Sequence, residues 1–276
     1  MATLRGRLPS LRRLPSNAPS LEDVGFYSDF TYTPIPFPTY RLTSYRVEGP
    51  LELHRRVLKM APNIIEAGIR VSYDLDQPWP EPSDPVIEML QLKRLYVTHV
   101  EVLDHLRAPL AEITVNLASR DKNPVDHLDP FFPRSSCTPR RFCVEDLPAV
   151  PITEEILEKF AFITAFTLLS NNIKTVNAHL SMFAKTPIAF PHLNEISFVS
   201  MNSFSFDYPV ILKMLQARRS AQSALSSAAF VTSEGPGPDL ITVLALNALR
   251  EAGMNLLILE SRRYWRRLIY QSPWVF

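Results

Sequence analysis

A short phrase with the spacing apolar-x-x-apolar-x-apolar recurs along the chain and constrains its fold more than any other feature. Its copies begin at Leu42, Ile64, Leu92, Leu110, Pro139, Ile163 and Leu193, and a weaker copy covers Leu225–Phe230. The last two apolar positions lie two residues apart, so both point to the same face of a strand, and the residue between them points to the opposite face. Each copy therefore predicts one short strand with an inward and an outward row of side chains.

Segments with apolar residues at three- and four-residue intervals lie between the phrases and predict helices. The predicted helices are Leu51–Met60, Pro85–Leu90, Val100–Leu106, Thr153–Phe160, Val176–Phe183, Tyr208–Ala217 and Leu240–Ala252. Thr153 is the predicted N-cap of its helix, because Glu154 and Glu155 then occupy the first turn, where carboxylates are favourable. Strands and helices alternate at intervals scattered around the ~20–29 residues of leucine-rich repeats.

Stacked units of this kind share a core that one unit cannot form alone, and strands stacked in sequence are parallel. We therefore predict an α/β fold, an irregular leucine-rich-repeat-like solenoid with a parallel concave sheet and outer helices. The predicted organisation is a Pro- and Arg-rich segment with the character of a partial repeat over 1–36, the solenoid over 37–260, and a C-terminal cap or basic-aromatic tail over 261–276. The residues predicted to be buried in consecutive strands are Leu95, Val97, Ile113, Val115, Phe166, Leu168, Ile196 and Phe198.

Composition and charge narrow the class of protein. The formal net charge is +1, so no overall field draws the chain to nucleic acid or to an anionic membrane. There are 25 prolines and only 7 glycines, which suits many short elements separated by prolines. Two cysteines are too few for a disulfide-stapled secreted domain, and no apolar run approaches the ~18 residues of a membrane span. We expect a cytoplasmic or nuclear protein with no membrane partner.

Three stretches resemble a known family. They are LKRLYVTHVEVLDHLRAPLAEITV at 92–115, SSCTPRRFCVEDLPAVPITEEILEKFAFITAFTL at 135–168 and FPHLNEISFVS at 190–200. With them the chain resembles, over about residues 37–260, the repeat region of the basidiomycete F-box and leucine-rich-repeat proteins. In that family a cysteine-containing SSC leads into a strand, a PIT-E-E step precedes a helix, and a P-x-L-x-x-L entry opens the next strand. The resemblance implies a solenoid that recognises substrates for a cullin-type ubiquitin ligase.

The chain departs from this family at its N-terminal end. Members normally carry a helical F-box ahead of the repeats, and nothing in this sequence matches one. Residues 1–36 are too short and too interrupted by prolines, and Leu8–Leu14 already reads like the entry to a repeat. Either the repeats alone are present or the gene model has lost its front end. Binding to the ubiquitin-ligase adaptor is therefore expected only if an F-box lies upstream.

The residue types of catalytic and metal sites form no recognised pattern. The six histidines include no HExxH pair, and the closest group, DHLD at 126–129, is interpreted as a solvated loop or helix start. Cys137 and Cys143 have neither a second cysteine pair nor an activating base, which favours structural roles. The glycine-rich stretch at 233–238 lacks the spacing of a phosphate loop. We expect a non-enzymatic protein without a catalytic residue, a cofactor or a metal.

Two alternatives to a protein-interaction module stay open. Arg262–Arg267 interleaves basic and aromatic residues, and with the basic N-terminal end it fits a nucleic-acid binder that uses charge and stacking. The same stretch also fits a terminal helix in which Trp265, Leu268 and Ile269 cover the last repeat. An α/β enzyme would need a Gly-x-Ser-x-Gly turn or a phosphate loop after one strand, and neither occurs.

The predicted binding surface is the outward row of the strands, on the open side of the sheet. Its candidate partner-binding residues are Arg46, Arg70, Arg94, Tyr96, Thr114, Asn116, Arg141, Glu145 and Ser197. Arginine and tyrosine are enriched at interaction hot spots, and arginine pairs bidentately with acidic or phosphorylated groups. Gly68 and Ala165 leave gaps in this stripe. The predicted partner is a protein whose identity the sequence does not give, and nucleic acid is not expected there.

Overall fold

The computed structural model describes residues 23–26, 39–71, 85–116, 123–145, 150–186, 189–200, 206–221, 223–232 and 237–260. The chain divides into two compact units, unit 1 with Met1–Val115 and Asp126–Thr138, and unit 2 with Asn116–Val125 and Pro139–Phe276. Each unit is built on parallel strands flanked by helices, so the predicted α/β class with a parallel sheet is confirmed. Three of the predicted features lie outside the described residues: the basic N-terminal end, the repeat-like entry at Leu8–Leu14, and the basic-aromatic stretch Arg262–Arg267.

Unit 1 contains five described strands in one parallel sheet and a separate two-stranded pair. In chain order the strands are β1 Asp23–Phe26, β2 Ser44–Gly49, β3 Glu66–Val71, β4 Ile87–Glu88, β5 Arg94–Val97, β6 Leu106–Arg107 and β7 Glu112–Asn116. The order across the sheet is β1-β2-β3-β5-β7, and β4 pairs with β6. Four phrases, those that begin at Leu42, Ile64, Leu92 and Leu110, therefore lie side by side as β2, β3, β5 and β7.

The helices of unit 1 agree with the sequence prediction only in part. They are α1 Leu51–Met60, a 3-10 helix at Val100–His105, and α2 Val125–Ser135, besides a short 3-10 turn at Thr39–Arg41. Helix α1 has the predicted bounds, the predicted helix at Val100–Leu106 is a 3-10 helix, and α2 was not predicted. The predicted helix Pro85–Leu90 is wrong, because this segment contains β4. A six-residue segment whose apolar residues are Val86, Ile87, Met89 and Leu90 is too short to distinguish a strand from a helix. Its pairing with β6, which includes a 2.8 Å hydrogen bond from Met89 N–H to the Arg107 carbonyl, shows that it is a strand.

In unit 2 a strand followed by a helix recurs along the chain. Its elements are β8 Arg141–Glu145, α3 Val150–Lys159, β9 Ala165–Ser170, α4 Ile173–Lys185, β10 Glu195–Ser200, α5 Tyr208–Ser220, β11 Ser227–Thr232, α6 Leu240–Glu251 and β12 Asn255–Glu260. Each strand pairs in parallel with the next strand of the sequence. Because parallel crossovers are right-handed, a sheet built in this order carries its connecting helices on one face. Contacts of α4 with α3 and α5, and of α5 with α6, place the four helices in one layer.

Three helices of unit 2 begin at a side-chain cap. Asn172, Asp207 and Asp239 each accept a hydrogen bond from a backbone N–H of the first turn, at 2.9, 3.3 and 2.8 Å, which satisfies one unpaired donor. The N-cap predicted at Thr153 is wrong. Thr153 lies inside α3, because that helix begins at Val150 with Pro151 in its first turn, where the missing N–H of proline costs nothing.

The backbone hydrogen bonds repeat with the phrase. The carbonyl of Thr43, just before β2, accepts bonds from Ile65 N–H at 2.8 Å and Glu66 N–H at 3.1 Å at the entry to β3. The Arg140 carbonyl, before β8, accepts from Thr164 and Ala165 in the same way, at 2.9 and 3.0 Å. Equivalent phrase positions are therefore paired within each sheet, and residues of one phrase position form a row across neighbouring strands.

The apolar phrase positions form the core of both units. The eight residues predicted to be buried, from Leu95 to Phe198, have exposures of 0–1%, and their strands are parallel, so this prediction is confirmed. Phe198 stacks on Phe230 of the next strand with ring centroids 5.9 Å apart, and Phe183 of α4 meets Phe166 and Phe198 at 6.0 and 6.1 Å. We call the face that meets the helices the first face, and the opposite face the second face.

One buried cation holds α4 to α5. Arg218 of α5 has an exposure of 0%, and its guanidinium donates to the carbonyls of Phe183 and Thr186 at the C-terminal end of α4, at 3.4 and 3.3 Å. It also lies over the ring of Phe183, 5.1 Å from the centroid. Burial lowers the pKa of Arg218 to about 10, which leaves it charged at neutral pH. The guanidinium therefore satisfies carbonyls that the helix end leaves without a partner and faces the negative end of the helix dipole.

We expect Arg218→Met to lower the free energy of unfolding of unit 2 by about 1.5–3 kcal/mol, because methionine keeps much of the stem volume and loses the charged hydrogen bonds. The matched control is Arg219→Met, the next residue of the same helix, which is exposed. Denaturant titration of both variants measures the difference. A methionine variant as stable as the parent would mean that desolvation of the cation cancels its bonds to α4.

Candidate interaction surface

All nine predicted partner-binding residues lie in strands, at positions that alternate with the first-face residues. Unit 1 holds Arg46, Arg70, Arg94, Tyr96 and Thr114, and unit 2 holds Asn116, Arg141, Glu145 and Ser197. The strand alternation thus places each group on the second face of its own unit. Because the nine residues divide between the two units, the surface of each unit is described separately.

The second face is less open than the sequence suggests. Tyr96, Thr114, Glu145 and Ser197 are buried, with exposures of 7, 1, 9 and 1%, and their role in partner binding stays a prediction. The other five predicted residues are partly exposed. Parallel sheets are characteristically covered on both faces, and the buried residues of the second face follow that pattern. Alternation along a strand predicts the face of a side chain but not whether something packs over it.

In unit 1 the second face carries a ladder of alternating charges. Arg46 Nη2 of β2 lies 3.1 Å from Glu66 Oε2 of β3, and the other oxygen of Glu66 accepts a bond from Arg94 of β5. Arg94 Nε lies 3.6 Å from Glu112 Oε2 of β7. Partly exposed pairs of this kind contribute about 0–1 kcal/mol each. Their main effect is to hold the guanidinium groups in fixed positions across four strands.

Glycine and tyrosine shape the space around these arginines. A Cβ atom built on Gly68 of β3 would come within 3.2 Å of Arg46 Cγ, so the glycine gives the Arg46 stem the room it needs to reach Glu66. The gap that Gly68 leaves in the stripe of polar residues is thus filled by a neighbouring side chain. The guanidinium of Arg70 in β3 lies over the ring of the buried Tyr96 in β5, 5.3 Å from the ring centroid. This cation–π contact orients the Arg70 side chain.

In unit 2 the second face changes from charged to apolar along the strands. At the start of the strands, Arg141 Nη2 of β8 lies 3.5 Å from Glu195 Oε2 of β10, and the small Ala165 of β9 lies between them in register. Further along, Leu169, Val199 and Val231 form a buried apolar cluster, with Cys143 and Leu259 packed against it. The register aligns Leu169, Val199, Val231 and Leu259 in one row across β9–β12. We call these four residues the apolar row.

Two buried histidines are hydrogen-bonded in their neutral form. The ring of His54 in α1 accepts from Tyr45 Oη at Nδ1, 2.8 Å away, and donates from Nε2 to the carbonyls of Gly49 and Arg70, both at 3.1 Å. These carbonyls only accept, so Nε2 carries the proton. Burial lowers the pKa of His54 to about 4. The imidazole therefore joins α1, β2 and β3 and stays uncharged at neutral pH.

His179 of α4 repeats this arrangement in unit 2. Its Nδ1 donates to the Thr175 carbonyl and its Nε2 accepts from Thr153 Oγ1 of α3, both at 2.8 Å. Burial lowers the pKa of His179 below its ordinary value. The sequence predicts neither bond, because a histidine in a helical pattern does not indicate which carbonyl or hydroxyl its ring will contact. Both rings have structural partners at each nitrogen.

The other residues considered for chemistry are also placed by the structure. His127 of α2 bonds through Nδ1 to Asp104 Oδ2 at 2.8 Å, and its DHLD group belongs to a helix, in line with one of the two interpretations. Cys137 is buried, and burial raises the pKa of its thiol, whereas Cys143 of β8 is half-buried. In the described ranges no group of three or more His, Cys, Asp or Glu side chains is arranged to hold a metal ion. No described helix is both long enough and apolar enough to cross a membrane.

Comparison of the chain with protein families, with curated proteins and with solved structures gives no match. The resemblance to F-box and leucine-rich-repeat proteins therefore stays a prediction from the quoted motifs.

Proposed function

We propose that this chain is a non-enzymatic protein-interaction module, a leucine-rich-repeat-like solenoid resembling the substrate-recognition part of an F-box ubiquitin-ligase receptor. The observation that carries the proposal is the charge ladder on the second face of unit 1. Repeated strands in one register place Arg46, Arg94 and their glutamates in a fixed pattern at the surface. A repeated scaffold with preordered side chains is a common basis for protein recognition.

The chemistry of the ladder indicates the kind of partner. Arg94 keeps 42% of its side chain exposed while its guanidinium is held between two carboxylates. Held in this way, it loses little conformational entropy on binding and presents its remaining donors to a carboxylate or phosphate of the partner. The glutamates beside it disfavour a partner with a uniformly acidic surface. The proposed partner is therefore a protein segment with an isolated acidic or phosphorylated residue.

We expect Arg94→Gln to weaken partner binding by at least ten-fold, the effect of losing an interfacial arginine that contributes about 1.4 kcal/mol or more. The matched control is Arg107→Gln, because Arg107 of β6 is also about half exposed, at 49%, and is paired with a glutamate, Glu88. Quantitative mass spectrometry of proteins retained from a lysate identifies the partner, and titration gives the affinity of each variant. Equal affinities for both variants and the parent would place binding elsewhere.

The ubiquitin-ligase part of the proposal has its own test. An in-frame F-box in the sequence upstream of Met1 would support a role as a substrate receptor, and co-purification of the ligase adaptor with the longer product would test it directly. A longer product that carries an F-box and fails to bind the adaptor would remove the ligase from the proposal. The interaction surface of unit 1 would be unaffected by that result.

A further inference from the structure

The edge of the unit 1 sheet at which the strands begin carries exposed apolar side chains. They are Tyr40, Met60, Ile65 and Leu90, with exposures of 59, 48, 44 and 66%, and the exposed Pro62 lies next to them in the chain. Among the large apolar residues that the structure describes in unit 1, Val86 is the one other exposed residue. The exposed apolar surface of this unit is therefore concentrated at one edge. We call Tyr40, Met60, Pro62, Ile65 and Leu90 the entry patch.

Repeated turns bring the residues of the entry patch together. In each of the turns before β3 and β5, the N–H of the first phrase residue donates to the carbonyl three residues earlier, at 3.4 and 3.1 Å. Pro62 and Leu90 therefore occupy the same position in successive turns. Asn63 Nδ2 donates to the Tyr40 carbonyl at 2.7 Å, which joins the turn before β2 to the turn before β3. Because neighbouring strands lie ~4.8 Å apart, the backbones of the three turns span about 10 Å.

Three exposed cations border the entry patch. They are Arg41, which follows Tyr40, Lys59, which precedes Met60, and Lys93, whose backbone N–H donates to the Ile65 carbonyl at 2.8 Å. The segments that form this edge, residues 40–43, 58–65 and 89–93, contain no aspartate or glutamate. The nearest acids in the chain, Glu66 and Glu88, each form an ion pair with an arginine. The edge is therefore locally cationic, although the net charge of the whole chain is only +1.

We propose that the entry patch binds a protein segment in which apolar side chains are flanked by acidic residues. The apolar side chains of the segment bury the entry patch, and its carboxylates lie against the three cations. An exposed apolar surface with a polar border is typical of protein interaction sites. The entry patch lies at the edge where the strands begin and not on the second face, so the inference does not depend on the charge ladder.

The residue types of the entry patch favour a protein over the other polyanions. Tyr40 supplies its one aromatic ring, whereas proteins that bind single-stranded nucleic acid stack successive bases on several rings. The three cations are also fewer than the roughly four to eight basic residues of segments that bind anionic membranes. Methionine, isoleucine and leucine instead match the apolar side chains of a protein partner.

A displayed library of random peptides, selected on the full chain, tests this proposal. We expect the selected peptides to carry both apolar and acidic residues, and to bind Ile65→Ser with Leu90→Ser at least about ten-fold more weakly than the parent in fluorescence anisotropy titrations. The matched control is Leu240→Ser with Leu244→Ser, two exposed leucines of α6, and its affinity is expected to stay within about two-fold of the parent.

A second variant, Lys59→Glu with Lys93→Glu, tests the cations while the apolar side chains stay in place, and we expect it to weaken the same peptides by at least about ten-fold. Thermal unfolding shows whether each variant is folded like the parent, and the glutamate variant decides alone if the serine variant is not.

Three results overturn the proposal. The first is a selection in which no peptide loses affinity for either variant. The second is a set of peptides that lose affinity for the serine variant but lack acidic residues, or that bind the glutamate variant as tightly as the parent. The third is binding of phosphatidylserine vesicles or of a single-stranded oligonucleotide, in place of peptides, that the same variants weaken.

Discussion

Leu168→Ala is expected to lower the free energy of unfolding of unit 2 by about 2–5 kcal/mol, the range for a large-to-small substitution in a packed core. Leu168 has an exposure of 0% and lies in β9 between Val144 of β8 and Phe198 of β10 in register. Removal of its isobutyl group leaves a cavity on the first face that two flanking strands in a hydrogen-bonded sheet can close only partly. Denaturant unfolding followed by far-ultraviolet circular dichroism measures the change.

The control for this prediction is Leu244→Ala. Leu244 lies in α6 with an exposure of 61%, so the same chemical change removes little buried surface, and we expect an effect within about 0.5 kcal/mol. A loss below half a kcal/mol for Leu168→Ala as well would mean that residue 168 does not face the core, and that the strand register of β9 is wrong.

The strands were predictable because their signal is local. In the clearest copies, two apolar residues separated by one define the inward row of a strand without reference to the rest of the chain. The weak copy at 225–230 also predicts correctly, since β11 occupies Ser227–Thr232. β12 escaped prediction because Gly253 stands where the first apolar position would align, as the pairing of Asn255 with Ser227 shows. Its residues Leu256–Leu259 form an uninterrupted apolar run, which by itself does not distinguish a strand from a helix.

The state of the second face was less predictable, because it depends on partners that are distant in the sequence. The outward position of Ser197 follows from alternation, but its burial depends on what lies over β10. The charge ladder, by contrast, left a signal that phrase alignment reveals. Glu66, Arg94 and Glu112 occupy the same phrase position in β3, β5 and β7, and the strands are adjacent in the sheet. Opposite charges at one position of neighbouring strands predict pairing across the sheet.

Acidification is expected to destabilise the protein through its buried histidines. The pKa of His54 is lowered to about 4 in the folded state, against 6.5 for the ordinary imidazole, and the pKa of His179 is lowered as well. The unfolded chain therefore takes up a proton at a higher pH than the folded chain. The stability linked to His54 is fully present above about pH 6.5 and is lost as the pH falls from 6.5 toward 4. At pH 5 the loss from His54 alone amounts to about 2 kcal/mol.

The measurement is the free energy of unfolding between pH 7.5 and 5, in the parent and in His54→Gln. Glutamine stays neutral over this range, so we expect the variant to be less stable than the parent at pH 7.5 and to show a shallower fall toward pH 5. His192→Gln is the control, because His192 is exposed and its replacement should leave the pH dependence of the parent unchanged. If the stability of His54→Gln falls as steeply as that of the parent, the folded chain protonates His54 as readily as the unfolded chain does. The bonds of Nε2 to the Gly49 and Arg70 carbonyls would then have to persist beside a charged ring that accepts nothing from Tyr45.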